Sequence, residues 1–221
     1  MGVTPPTCYN FKVTEDRRFS PDEVAAAYRG IRERVVSLLR TLPDEAADKN
    51  VPGCPAWDVA QLSAHLVGVP EDVLSGSMDG APGDDWTQRQ VDRHQGQSLA
   101  QLADAYEATA EAFDAVMAAI PHPINSQVVM DAYTHEQDLR EAVGRPGGSD
   151  DARDIALAFV LGPMTKNRPD LAADVLGAEL DVNTLQRALS GRIGVGALTE
   201  RGIDGEALAD YFAGGPVRPP A

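Results

Sequence analysis

The 221-residue chain is 43% hydrophobic and 24% charged, a globular composition that suits one large domain, alone or with a smaller appendage. Its net charge of −15, from 19 basic and 34 acidic residues, argues against a nucleic acid or an anionic membrane surface as partner. Cys8 and Cys54 stand in unlike contexts and imply no disulfide framework, and no apolar run approaches the roughly 20 residues of a bilayer span.

The first residues, MGVTPPTCYNFKVTEDRRF, lack the apolar core of a signal peptide, and Pro6 stands where a myristoylation signal needs Ser or Thr. The expected setting is the cytoplasm, with residues 1–18 forming a flexible arm. Ser20 and Glu23 then make a capping box around Pro21. Apolar residues at Val24, Tyr28, Ile31, Val35, Leu38, Leu39 and Leu42 predict a long amphipathic helix ending before Pro43.

After the Pro/Gly loop VPGCPAW, Asp58 and Gln61 cap a second helix with the stripe Val59, Leu62, Leu66 and Val69, and His65 falls on that stripe. Pro70 and the segment SGSMDGAPGDD read as a long irregular connection. Ser98 and Gln101 open a third helix whose Leu102, Tyr106, Phe113, Val116, Met117 and Ile120 face inward, and PHP breaks it. A fourth helix starts at Asn125 or Ser126, aligns Val128, Ala132, His135, Leu139 and Ala142, and stops at Gly144. Together these predict a four-helix bundle over residues 19–146. RPGGSDD reads as a boundary. Beyond it, in 147–221, ARDIALAFVLG, NTLQRALSG (stopped by Gly191) and GEALADYF read as helices, IGVGALTE as a short strand or loop, and the last residues as a frayed tail.

Two of the four histidines, His65 and His135, lie on inward stripes of different helices. Bundles build metal sites from side chains on facing helices, and Asp131, one turn before His135, would be a third ligand. Two histidines and a carboxylate with an open position suit catalytic zinc or non-haem iron. Hydrogen-bonded core histidines remain the competing reading. HExxH is excluded, because Leu139 stands where the second histidine is required. Glu136 points about 100° from His135 and reads as solvated. Asp138 reads either as a group that orients a ligand or as a surface charge paired with Arg140 or Arg145. His94 and His122 read as exposed. Cys54 reads as a small turn residue, with approach to a metal as the alternative. No nucleophile elbow, P-loop or dinucleotide fingerprint is present.

The stretch VPGCPAWDVAQLSAHLVGV resembles the signature of the mycothiol-dependent maleylpyruvate isomerase family, within the DinB-like bundle superfamily: a P-G-C-P-x-W loop, then a helix ending in a His-Leu-x-Gly turn. THEQDLREAVGRPG resembles its fourth-helix signature, DDWTQRQVDRHQGQSLAQL the connection before its third helix, and LQRALSGRIGVGALTERGIDGEALADYF its C-terminal segment. The resemblance implies a mainly α fold, a DinB-like four-helix bundle with a small C-terminal α/β appendage that is shortened here. It implies a divalent metal, Zn2+ before Ni2+ or Fe2+, on His65, Asp131 and His135. Position 131 is Asp where the isomerases have Glu. It further implies mycothiol as thiol co-substrate, a small electrophile as substrate, and an arginine from the second region, Arg187 or Arg192, at the active site. The function so implied is a metal-dependent isomerase or S-transferase in which a metal-activated thiolate attacks the electrophile. A thiol-independent metal hydrolase and a non-catalytic binding or regulatory module with a degenerate site are the rivals.

Overall fold

The computed structural model describes residues 19–213, so the arm expected over 1–18 and the end of the chain lie outside the described residues. The described chain forms two compact units, 19–156 and 157–213, and contains eleven α-helices and one short 3-10 turn. Mainly α is therefore the architecture.

In the first unit, α1 (Pro21–Thr41) starts at the expected box: the Ser20 hydroxyl accepts from the Glu23 amide, and the Glu23 carboxylate accepts from the Ser20 amide. Its buried side is the expected one, from Val24 and Tyr28 to Leu38 and Leu39. α2 (Val59–Ser75) starts at the Asp58–Gln61 box. α4 (Leu99–Ala108), α5 (Ala110–Met117) and α6 (Ile124–Ala142) complete the bundle. α1 packs on α4, α5 and α6, and α2 packs on the same three and on α3 (Asp84–Arg93). Tyr28 and Phe113 meet at 4.8 Å between ring centroids in the core, and the Tyr106 hydroxyl donates to the Tyr28 oxygen at 3.2 Å. Each such fully buried large side chain contributes about 1.5–3 kcal/mol through its apolar surface.

Three local features depart from the expected pattern. Pro70 lies inside α2 and is buried, so the helix runs past it to Gly76, whose φ of +74 ends it. The lost Pro70 amide costs one helical bond, and the turns beyond it, closed by Ser77 N–H to Asp72 O at 2.8 Å, carry the helix on. The connection is also not wholly irregular: DDWTQRQVDR forms α3, which buries Trp86, Gln90 and Val91. The expected third helix is divided at Thr109, whose hydroxyl bonds back to Tyr106 O at 2.8 Å.

α7 (Asp150–Asn167) leads into the second unit, which continues with α8 (Pro169–Gly177), α9 (Val182–Leu189), α10 (Val195–Thr199) and α11 (Gly205–Phe212). Asp181 caps α9, and Gly191, with φ of +73, follows its end as expected. No strand occurs among the described residues, so the strands of the expected α/β appendage are not formed there. IGVGALTE, with Val195 and Leu198 one helical step apart, folds as α10, and only Leu198 of that helix is buried.

Candidate metal centre

α2 and α6 bring three side chains to one point. His65 Nε2 lies 3.6 Å from Asp131 Oδ2, and His135 Nε2 lies 3.5 Å from Asp131 Oδ1. The two imidazoles meet edge to face, with centroids 5.0 Å apart and planes at 88°. One ligand atom from each of the three residues lies within 4.8 Å of the others. Donors held at about 2.0–2.2 Å by a tetrahedral ion stand about 3.4 Å apart, so the measured spacings suit a shared cation. The carboxylate of Asp131 is short by one methylene compared with Glu, and it still reaches both rings. Its side chain is 36% exposed while those of His65 and His135 are 5% and 11%, so the site opens on the carboxylate side.

The remaining ring nitrogens point away from this carboxylate. His135 Nδ1 lies 3.2 Å from Asp138 Oδ2, and His65 Nδ1 lies 2.7 Å from Gln90 Oε1. Asp138 is fully buried, which decides between its two readings: it orients His135 and is not a surface charge. Cys54 Sγ stands 3.9 Å from His135 Nδ1 and donates to Asp138 Oδ2 at 3.6 Å. Cys54, His135 and Asp138 thus form a second metal-competent group that shares His135 through its other nitrogen.

The entry loop aims these groups. Val51 N–H bonds Trp57 O at 3.0 Å and Trp57 N–H bonds Cys54 O at 2.8 Å, a tight turn that sets Cys54 near His135 and Trp57 against both imidazoles. Cys54 is therefore more than a turn residue.

Electrostatics follow from the geometry. Desolvation works against charge on both partners, and the mutual attraction outweighs it. The His135 and His65 imidazoles hold the Asp131 carboxyl well below the usual carboxylate range. Asp131, with Asp138 and Cys54, raises the His135 imidazolium well above its ordinary value.

Two expectations about neighbouring residues need correction. Glu136 is not solvated. It is wholly buried, and Arg34 of α1 binds it with two hydrogen bonds of 2.8 and 2.7 Å while Arg140 adds one of 3.0 Å. The reason is that α6 is packed against α1 as well as α2, so it has more than one buried side. His94 is not exposed either: its ring is buried at the end of α3, with Nε2 2.9 Å from Glu71 and Nδ1 3.1 Å from Gln97. His122 is exposed as expected.

Gln90 and Asp72, which complete the surroundings of His65, carried no sequence signal of their own. Arg187 and Arg192 lie in the second unit, half-buried, the first on α9 and the second just after it, where its guanidinium donates to Ser190 O at 2.6 Å.

Residues 28–145, over half of the chain, match the family model of the mycothiol maleylpyruvate isomerase N-terminal domain. The chain belongs to that family. The match covers α2 and α6 and every residue of the two metal-competent groups. No curated protein and no solved structure matches the chain significantly. No helix among the described residues of this mycothiol maleylpyruvate isomerase family member is long and apolar enough to cross a membrane.

Proposed function

We propose that His65, Asp131 and His135 hold a divalent cation, with Zn2+ the first choice from two imidazoles and a carboxylate, and that the protein is a mycothiol-dependent isomerase or S-transferase acting on a small electrophile. The observation that carries this reading is the convergence of two imidazole Nε2 atoms, from different helices, on one carboxylate that faces solvent. A cation bound there would favour the thiolate form of a coordinating thiol. The chain supplies the rest. Asp138 lies against the His135 ring, Trp57 flanks both imidazoles, and the exposed edge at Asp131 is where a thiol and an electrophile would enter. On the family resemblance Arg187 or Arg192 would hold substrate carboxylates. The cytoplasm, where low-molecular-weight thiols are kept reduced, is the fitting compartment.

The test is metal analysis of the purified protein beside His65→Ala, followed by turnover of an electrophile with and without mycothiol. Stoichiometric metal in the wild type, its loss in the variant, and thiol-dependent turnover are expected. Equal and negligible metal in both proteins would overturn the metal site, and turnover of esters or amides without thiol would replace the transferase reading by a hydrolase.

A further inference from the structure

His65 is oriented by a segment that the family resemblance placed only in a connection. Its Nδ1 lies 2.7 Å from Gln90 Oε1, and Gln90, on α3, is wholly buried. The amide of a glutamine has two ends, an acceptor and a donor, and which end faces the ring decides where the ring proton sits. Here a third residue settles it. Gln90 Nε2 donates to Asp72 Oδ2 at 2.8 Å, and Asp72, itself 1% exposed, has its other oxygen bound by Arg93. A carboxylate paired with an arginine only accepts, so the Gln90 nitrogen is pinned toward Asp72 and its oxygen toward His65. The flanking rings do not compete, since the Trp86 indole N–H donates instead to Ser77 O at 3.1 Å.

We propose that Gln90 is a positioning residue that fixes the Nδ1–H tautomer of His65, leaving the Nε2 lone pair facing Asp131, and that Gly68 is the niche that admits it. A Cβ at Gly68 would stand 2.4 Å from Gln90 Cβ and 2.5 Å from Gln90 Cγ, closer than real contacts allow. Gly68 is not a turn at a helix end: it lies in the middle of α2, one turn after His65. Glycine in mid-helix is a poorer helix former than alanine, and close packing of Gln90 is what the position gains. The two histidines are thus backed unequally. His135 has a carboxylate directly on Nδ1, whereas His65 has an amide with the carboxylate one residue further back.

This inference rests on the reading of His65 as a ligand, yet its first test needs no metal. In metal-free protein at about pH 9, 15N chemical shifts of the imidazole nitrogens report the tautomer directly. The wild type is expected to show His65 protonated on Nδ1. Gln90→Met, which keeps the volume without the acceptor, is expected to lose that preference while the overall fold, followed by circular dichroism, is kept. Gly68→Ala, which raises helix propensity while displacing Gln90, is expected to do the same and serves if the Met variant does not fold. An Nε2–H tautomer in the wild type, or an unchanged Nδ1–H tautomer in both variants, overturns the inference. Zn2+ affinity should fall 10- to 100-fold in a variant that has lost the tautomer. An unchanged affinity in such a variant overturns it as well. If the wild type binds no Zn2+ at all, the metal reading has failed, and the tautomer comparison alone decides this inference.

Discussion

α6 carries two carboxylates, Asp131 and Glu136, whose surroundings differ in kind. Glu136 is wholly buried, and the chain neutralises it with two permanent cations, Arg34 and Arg140. Asp131 is 36% exposed, and its ion-pair partners among the described residues are two imidazoles, at 3.5 and 3.6 Å, spacings too long for good hydrogen bonds. Where a carboxylate serves the fold, the chain supplies the countercharge itself. Where it faces the candidate site, the chain supplies two imidazoles around a gap of a size that suits an ion.

The sharpest way to break this comparison is Asp131→Ala. We expect bound metal to fall from stoichiometric to background by elemental analysis, with the metal-free protein losing less stability than it does when Glu136 is removed. Glu136→Ala should show the opposite pattern. Leaving two arginines half-buried without their partner costs about 3 kcal/mol in urea unfolding, while stoichiometric metal is retained. Equal stability losses in the two variants would erase the distinction drawn between the two faces of α6.

Two smaller effects refine it. Asp138→Asn should weaken metal binding 10- to 100-fold in a competition titration with a chromogenic chelator, without abolishing it. The smallest effect concerns Asp114, which lies outside both faces. Partial burial opposes its charge, and hydrogen bonds from Arg32 and Arg29 outweigh that, so its folded pKa lies below the ordinary value. Its contribution is therefore present above the ordinary carboxylate range, near pH 4, and is lost as pH falls through the lower folded value. Asp114→Asn should flatten the acid limb of the stability profile by about 1 kcal/mol or less, measured by thermal melts across pH.

The α6 half of the site was legible because its members share one helix. Asp131, His135 and Asp138 stand at one-turn spacings, and helix geometry alone puts them together. His65 was legible because a polar ring on an otherwise apolar stripe is conspicuous. Gln90 was not, since it reaches His65 from 25 residues away on a helix whose sequence, DDWTQRQVDR, is nearly all polar. Nothing local separates a buried glutamine from a solvated one. Glu136 was misread because one inward stripe was assumed for a helix that is packed against two others. The capping boxes at Ser20, Asp58 and Ser98 were read correctly, being made within four residues. C-terminal strands were implied by the resemblance and, as one of two readings, by IGVGALTE, whereas the described residues there fold as helices.

The position of Trp57 and Trp86 has an optical consequence. They are the two tryptophans of the chain, and their rings lie 5.4 and 6.5 Å from that of His65. All indole emission thus originates beside one imidazole, so intrinsic fluorescence serves as a gauge of what happens at that ring. A fluorescence-detected melt of this protein accordingly follows the corner where α2 meets α3, while circular dichroism follows the helices as a whole, and a gap between the two curves would measure how independently that corner opens.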